Sequence, residues 1–308
     1  MSPRYRISAS LVKTEPQARE QAEQPATSCP AWAAPLLAVQ FLTRIPVPAL
    51  ARLSGEQARI GLGRAVAWFP LVGTLIGTIT AATWLLAGEV WPSLIAVILA
   101  LIVEARLTGA FHEDAVADFC DGAGGGRDAA HVRQIMKDSR IGSYGALGLA
   151  LAVALRVALI YSFVAPYGAL AIIAAATFGR LLAVITMLTT PPVPGASGLA
   201  ALLLTRSSAA RRLRASVHHG SDDSEPCDIT ATLRTRDIAF ALLLSLPGLL
   251  PFAFGAPRAV ALATAAAVVF LIWFRALLIK KIGGSTGDCL GFAAYAGQLI
   301  LLLAATAW

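Results

Sequence analysis

The stretch Ala169–Thr190, ALAIIAAATFGRLLAVITMLTT, decides the fold class, because in 22 residues it holds one charged side chain, Arg180. An apolar helix needs about 20 residues to cross the hydrocarbon core of a membrane. Backbone groups find no water in lipid, so a helix, which satisfies them internally, is the expected structure. We therefore predict a transmembrane helix over this stretch.

The rest of the chain has the same character. Its 308 residues are 57% hydrophobic and only 14% charged, a balance that soluble domains do not have. We predict an all-α fold, a polytopic integral membrane helical bundle of about seven transmembrane helices, within a range of six to eight. The predicted spans are Ala65–Ala87, Ser93–Ala110, Gly145–Val164, Ala169–Thr190, Ile238–Gly255, Ala259–Phe274 and Cys289–Trp308, with a shorter apolar piece at Ala31–Phe41.

The polar N-terminal region differs from the remainder. Residues 1–30 mix charges with Gln, Ser and Pro and lack the order of a secretory signal, so we predict a disordered polar tail. Residues 31–308 are predicted to form a single transmembrane catalytic domain. The four cysteines are scattered without C-x-x-C spacing, which indicates neither a zinc site nor a disulfide framework.

The basic residues indicate the orientation in the membrane. If the predicted spans alternate in direction, four polar connections share one side and hold nearly all the basic residues, whereas the opposite connections hold only Arg258. The four connections are Arg44–Arg64, Phe111–Tyr144, Pro191–Asp237 and Arg275–Asp288. The positive-inside rule places them in the cytoplasm. We predict a multi-pass protein of the cytoplasmic (inner) membrane with its active-site loops facing the cytoplasm.

The same asymmetry bears on binding partners. The net charge of +7 is explained by topology, so we expect the lipid bilayer and no nucleic acid as a partner. The sequence leaves open whether the chain acts alone or as a homo-oligomer.

An acidic stretch follows the second predicted span. Within FHEDAVADFCDGAGGG, residues 111–126, the carboxylates of Asp114, Asp118 and Asp121 are spaced by four and then three residues. On a helix this spacing puts them on one side, which we call the aspartate face. Like charges repel unless a cation lies between them, and carboxylate oxygens suit Mg²⁺ or Mn²⁺ when substrate phosphates complete the coordination. The stretch predicts a metal-dependent phosphoryl-transfer site at a membrane surface; the alternative is a solvated acidic helix end.

Two further motifs carry cations and glycines. In residues 135–145, IMKDSRIGSYG, Arg140 can bind a phosphate with its planar fork and Lys137 as a point charge, with Asp138 between them. A charged helix end lying at the lipid headgroups is an equal alternative. In residues 280–291, KKIGGSTGDCLG, small residues before the last span are expected to present backbone N–H groups to phosphate. Asp288 is alternatively a plain helix cap.

Arg180 is a charge inside a predicted span, and such residues usually face a partner or a cavity. It follows Gly179, which allows another helix to approach closely. We predict Arg180 as a site residue, with helix–helix contact an equal alternative.

Taken in order, these motifs resemble the cobalamin synthase family, the adenosylcobinamide-GDP ribazoletransferases. The resemblance covers roughly residues 33 to 307. It rests on LTRIPVP at 42–48, FPLVG at 69–73, FHEDAVADFCDG at 111–122, MKDSRIG at 136–142 and GGSTGD at 283–288.

The resemblance implies a Mg²⁺-dependent transferase that completes the nucleotide loop of cobalamin. α-Ribazole, or its 5′-phosphate, attacks the phosphate linking cobinamide to GMP; adenosylcobalamin or its 5′-phosphate forms and GMP leaves. Mg²⁺ is expected on Asp114, Asp118 and Asp121, and one of these or Asp138 accepts the proton. The expected catalytic residues are Asp114, Asp118, Asp121, Lys137, Asp138, Arg140 and Asp288. The expected substrate-binding residues are Arg44, His112, Arg180, Lys281, Gly283, Gly284, Thr286 and Gly287.

Two other functions compete with this one. A CDP-alcohol phosphotransferase-like lipid synthase also places aspartates on membrane helices, but its D-G-x-x-A-R element is absent after Asp121-Gly122. A cation-coupled transporter would use carboxylates and broken helices at the bilayer midplane. Here the acidic cluster lies at the end of a span, and the sequence shows no inverted repeat.

Overall fold

The computed structural model describes residues 29–194 and 235–307, and within these ranges the chain is built from helices. Eleven α-helices are described: α1 Ala33–Leu42, α2 Gly55–Ala65, α3 Phe69–Gly88, α4 Ser93–Thr108, α5 Phe111–Gly125, α6 Ala129–Ile135, α7 Ser143–Tyr161, α8 Tyr167–Thr189, α9 Thr235–Gly255, α10 Pro257–Lys281 and α11 Gly287–Thr306. Two short 3₁₀ helices, Pro48–Arg52 and Val66–Trp68, flank α2. The all-α prediction is confirmed.

The described helices include six that are long and apolar enough to cross a membrane. They are Gly55–Gly88, Ser143–Tyr161, Tyr167–Thr189, Asp237–Gly255, Pro257–Lys281 and Gly287–Thr306. Helices α4 and α5 pass the same test as a pair but bend by 88° between them, and the count reaches seven if the pair is one span. The predicted polytopic bundle of about seven spans is therefore confirmed.

Several predicted boundaries differ from the structure. The span predicted as Ala259–Phe274 continues as α10 to Lys281, because Lys, Leu and Arg favour helix beyond the apolar core. The apolar piece predicted at Ala31–Phe41 is a helix of 10 residues, too short to span a bilayer. The predicted tail 1–30 and the connection Pro191–Asp237 lie largely outside the described residues.

Helix α8 is the centre of the bundle and packs between α3 and α11. A Cβ atom added to Gly297 of α11 would lie only 2.9 Å from the Cα of Gly179 on α8. This contact confirms the prediction that Gly179 lets another helix approach. Small residues at such crossings let backbones pack closely where lipid removes the hydrophobic drive for association.

A sharp turn separates α4 from α5. Gly109 and Ala110 both have left-handed backbone conformations, with φ of 71° and 56°, which a non-glycine residue adopts rarely. Arg44 contributes to this turn, because its backbone N–H donates to Leu107 O at 2.7 Å and its guanidinium fills the space beside Gly109. The turn directs α5 across the end of the bundle.

A buried ion pair joins the middle of the bundle. Arg156 on α7 donates from Nη2 to Glu104 Oε2 on α4 at 2.8 Å and to Gln298 Oε1 on α11 at 2.9 Å. Thr80 on α3 also donates to Glu104 at 2.9 Å. Both charged side chains are buried, and a buried pair is tolerated only when hydrogen bonds satisfy its remaining polar atoms.

Candidate active site

The aspartate face lies on a single helix. Asp114, Asp118 and Asp121 all belong to α5, where their spacing places them on one side. Their exposure falls along the helix, from exposed Asp114 through half-buried Asp118 to buried Asp121. The carboxylates therefore form a path from solvent into the bundle.

Helix α11 brings a fourth carboxylate to this face. It packs against α5, with Gly291 against Ala115. The charges acting on Asp118 come from Asp114 and Asp121 on its own helix and from Asp288 on α11. The sequence could not establish this meeting, because Asp288 follows Asp118 by 170 positions.

These carboxylates fit a divalent cation by their chemistry. Within the described ranges, no three His, Cys, Asp or Glu side chains already stand in a coordination arrangement. The donors are nonetheless hard oxygens from two helices whose charges repel one another. Mg²⁺ is commonly held by one or two protein carboxylates together with substrate phosphates and water. A site in which the protein supplies only some of the ligands is therefore compatible with this ion.

Asp121 makes structural hydrogen bonds that the sequence prediction did not include. Its Oδ2 accepts from the backbone N–H of Gly142 at 2.6 Å, and its Oδ1 accepts from Gly145 N–H at 2.7 Å. These are the free N–H groups at the start of α7, whose own N-cap residue, Gly142, has no side chain to satisfy them. Asp121 thus fixes α7 to α5 through both carboxylate oxygens.

Lys137, Asp138 and Arg140 lie in the turn between α6 and α7. Arg140 Nη2 contacts Asp138 Oδ2 at 2.7 Å, with the Arg140 side chain 87% exposed. The hydrogen bonds from Arg140 lower the pKa of Asp138 to about 2. Asp138 is therefore ionised at neutral pH and is paired with Arg140 in this structure.

The glycine-rich segment before α11 forms a tight loop. Gly283 and Gly284 have φ of 82° and 150°, conformations that L side chains rarely adopt. Ser285 fastens the loop to residues after α8, because its N–H donates to Pro191 O at 2.8 Å. Thr286 is the N-cap of α11 and accepts from Cys289 N–H at 3.4 Å. Thr286 rather than Asp288 therefore caps the helix, which leaves the Asp288 carboxylate in the first turn facing α5.

Two cations hold this loop beside α5 and α6. Lys281 Nζ donates to Ala123 O at 2.7 Å, and Arg133 Nη1 donates to Ile282 O at 2.6 Å. The connections 111–144 and 275–288 therefore meet at one end of the bundle. Arg133 was not among the residues predicted for the site. Its position in a basic connection is the sequence signal that could have identified it.

His112 and Arg180 lie deeper than the carboxylates. His112 is buried with its ring edge-on to Phe111 at 5.4 Å between centroids, and Arg180 is 1% exposed. Both border an apolar cavity that also reaches Gly287. Arg44, by contrast, follows α1 and packs against the turn between α4 and α5.

Glu113 links the aspartate face to the buried ion pair. Glu113 immediately precedes Asp114, and its Oε1 lies 3.7 Å from Arg156 Nη1. We infer that Glu113 and Arg156 orient the start of α5. Charged residues inside apolar spans were the sequence signal for Arg156, but the contact with Glu113 needed the tertiary structure.

The fold and the site define a multi-pass helical membrane protein with carboxylates from two helices at one end of its bundle. The family model described as cobalamin-5-phosphate synthase matches residues 34–306. The chain belongs to this family.

Two curated relatives cover most of the chain, and a third covers less than half of it. An adenosylcobinamide-GDP ribazoletransferase of Vibrio cholerae serotype O1 is 35% identical over 269 residues, 87% of this chain and 91% of that protein. The one from Ralstonia pickettii is 36% identical over 284 residues, 90% of this chain and 96% of its own length. A third, from Shewanella amazonensis, is 50% identical over 121 residues, 39% of this chain and 45% of its own length. No solved structure matches the chain significantly.

Proposed function

We propose that this protein joins adenosylcobinamide-GDP to α-ribazole, or to α-ribazole 5′-phosphate, and releases GMP. A ribose hydroxyl oxygen forms a bond to the phosphorus attached to cobinamide, and the bond from that phosphorus to the oxygen of GMP breaks. The hydroxyl proton passes to a carboxylate, and GMP carries away the electron pair of the broken bond. The product is adenosylcobalamin or its 5′-phosphate.

The observation that carries the proposal is the convergence of Asp114 and Asp118 with Asp288 at one end of the bundle, in a chain of this family. Transfer between phosphate esters builds negative charge on the phosphate oxygens, so catalysis depends on positioning and charge stabilisation. Mg²⁺ held by Asp114, Asp118 and Asp288 would neutralise this charge and orient the diphosphate.

The chain's own residues complete the site. We assign Asp121 to positioning α7 rather than to direct coordination, because both its oxygens already accept backbone hydrogen bonds. Arg140 and Lys137, on an exposed turn, would bind phosphates on arrival, with Arg140 exchanging its contact to Asp138 for one to substrate. The backbone N–H groups of Thr286 and Gly287, at the positive end of α11, would bind phosphate, whereas those of Gly283, Gly284 and Ser285 already donate to Leu278 O and Pro191 O.

The location of the reaction follows from the charge pattern. The basic connections 111–144 and 275–288 lie with the carboxylates at one end of the bundle, and the positive-inside rule assigns that end to the cytoplasm. We therefore propose a protein of the inner membrane that meets both water-soluble substrates on the cytoplasmic side, as a monomer or a homo-oligomer.

The test is an assay of membranes containing the chain, incubated with adenosylcobinamide-GDP and α-ribazole, that follows GMP with and without Mg²⁺. We expect GMP and a corrinoid product in equal amounts, and loss of both when the divalent ion is chelated. Parallel reactions with α-ribazole 5′-phosphate identify the preferred acceptor by its higher kcat/KM.

Two results would contradict the proposal. One is the absence of GMP from membranes in which the chain is inserted and intact. The other is release of CMP from a CDP-linked lipid precursor in the same membranes, which would favour a lipid synthase instead.

A further inference from the structure

The loop that joins α10 to α11, residues 282–286, is held from two sides, and we call it the glycine loop. On one side it contacts the chain after α8, because Ser285 N–H donates to Pro191 O at 2.8 Å and Val193 N–H donates to Ser285 O at 3.2 Å. A Cβ atom at Gly284 would lie only 2.7 Å from Val193 N, so this close approach requires glycine. Cationic side chains hold the other side of the loop.

Arg133 binds the point where α10 ends. Its Nη1 donates to Ile282 O at 2.6 Å, and Ile282 is the C-cap residue of that helix. The last carbonyls of a helix have no N–H partner within it, and the partial negative charge there favours a cation. The guanidinium is therefore a stable partner for this carbonyl and fixes the start of the glycine loop.

Lys281 makes the reciprocal contact. It lies in the last turn of α10, and its Nζ donates to Ala123 O, in the last turn of α5, at 2.7 Å. Each of the two connections thus sends one cation to a helix end of the other. Together the two contacts restrict both the distance and the orientation between α5 and the end of α10.

Helix α6, which carries Arg133, packs against α5. Val132 and Met136, on either side of Arg133 in the sequence, are buried. Both belong to one apolar cluster with Phe119 of α5 and Ile282 of the glycine loop. Arg133 therefore ties the glycine loop to α5 itself rather than to a free surface segment.

The glycine loop determines where Asp288 lies. Thr286, at the end of the loop, caps α11, and Asp288 is in the first turn of that helix. The charge of Asp288 acts on Asp118 of α5, so the two carboxylates are near each other across the two helices. A shift of the loop relative to α5 would change their separation.

We propose, on the basis of the proposed function, that Arg133 is a positioning residue of the metal site. With Lys281 it holds the glycine loop at a fixed distance from α5, and so places Asp288 opposite Asp118 for shared binding of the divalent ion. It acts through the loop, since its guanidinium already binds Ile282 O. Residues that orient metal ligands in this way change metal affinity or activity by roughly 10–100-fold when they are replaced.

The test measures metal binding apart from turnover. Mn²⁺ is the probe, and electron paramagnetic resonance of the free ion measures its affinity for the purified protein without substrates. Arg133→Gln removes the cation but keeps a polar side chain, and we expect the Mn²⁺ affinity to fall roughly tenfold or more. In turnover assays the same variant should need more Mg²⁺ for its half-maximal rate and show a lower kcat. Its KM for α-ribazole should stay within about twofold of the wild type, because no contact to that substrate is removed.

Three further variants complete the design. Arg133→Lys keeps a charged donor at this position and should recover part of the Mn²⁺ affinity. Arg127→Gln is the matched control, because Arg127 is an exposed arginine of the same connection, and it should leave both the affinity and kcat unchanged. If Arg133→Gln does not assemble, Lys281→Gln removes the second contact at an exposed side chain and should also lower the Mn²⁺ affinity.

Wild-type Mn²⁺ affinity in Arg133→Gln would overturn the inference. So would a fall in Tm with an unchanged Mg²⁺ dependence of the rate, since that pattern indicates structural support alone. A change confined to the KM for α-ribazole would also overturn it, because Arg133 would then act on that substrate. Failure of the wild-type protein to release GMP would instead count against the proposed function, since Mn²⁺ binding still reports on the metal site.

Discussion

Asp118 occupies the central position of the aspartate face, half-buried and within the field of three other carboxylates. A half-buried carboxylate surrounded by other carboxylates is well placed to bind a cation, and it is not a simple solvent-exposed charge. The alternative interpretation, a solvated acidic helix end, fits exposed Asp114 better than Asp118.

Replacing Asp118 by Asn should abolish turnover while the protein still inserts and purifies. The change removes a charge that would hold Mg²⁺ but keeps the size of the side chain, so we expect a rate loss of roughly 100-fold or more. GMP release by purified protein is the measurement. Glu89→Gln, at the far end of α3 and exposed, is the control, and wild-type turnover in Asp118→Asn would refute the assignment.

Asp138 permits a prediction about pH. Its pKa, lowered to about 2 by Arg140, lies below the ordinary value of about 3.9. Any stability from this pairing is therefore present above about pH 4 and is lost as the pH falls toward 2. Between about pH 6 and 9 Asp138 stays charged, so the pH profiles of kcat/KM for the wild type and Asp138→Asn should have the same shape. An ionisation in that range that disappears in Asp138→Asn would show that Asp138 exchanges a proton with substrate.

At the scale of elements, the contact between α5 and α7 depends on Asp121 and on two glycines. A Cβ atom at Gly145 would overlap the Asp121 carboxylate and lie 2.7 Å from Ala117 O. The sequence Gly-Ser-Tyr-Gly at 142–145 thus lets the helix start reach the carboxylate closely enough for both hydrogen bonds.

Gly145→Ala should separate α5 from α7 and lower both thermal stability and activity. Overpacking of this kind costs about 1–3 kcal/mol, which should reduce Tm in detergent by several degrees. Gly88→Ala is the matched control, because a Cβ atom there meets nothing within 4 Å, and its Tm should equal or exceed that of the wild type. Equal Tm values for Gly145→Ala and wild type would mean that α7 adjusts without strain.

At the scale of the whole molecule, the Glu104–Arg156 pair joins four helices and reaches the start of α5 through Glu113. The pair affects the stability of the fold mainly when one of its two charged residues is removed. A single unpaired charge in the interior is far less favourable than either the pair or its neutral replacement.

Arg156→Met should therefore destabilise the protein by about 3–5 kcal/mol, because Glu104 then remains buried without its cation. The double variant Glu104→Gln with Arg156→Met should recover part of this loss. Thermal unfolding of the two variants in detergent measures the difference. If the double variant is no more stable than Arg156→Met, the ion pair does not account for the loss.

The sequence by itself determined the fold class, the approximate spans and the motifs of the family, because these follow from local patterns: apolar runs of membrane length and short ordered signatures. It placed Asp114, Asp118 and Asp121 on one helix face for the same reason, since a helix fixes neighbours three and four residues apart.

Only the tertiary structure decided which distant groups meet. Asp288 reaches the aspartate face because α11 packs against α5 at Gly291, and Asp121 binds the start of α7 because glycines leave it room. The bend at Gly109 and Ala110 and the cavity beside Arg180 likewise arise from packing among several helices. Helix contacts in a bundle depend on shape over long sequence separations, which periodicity and composition do not encode.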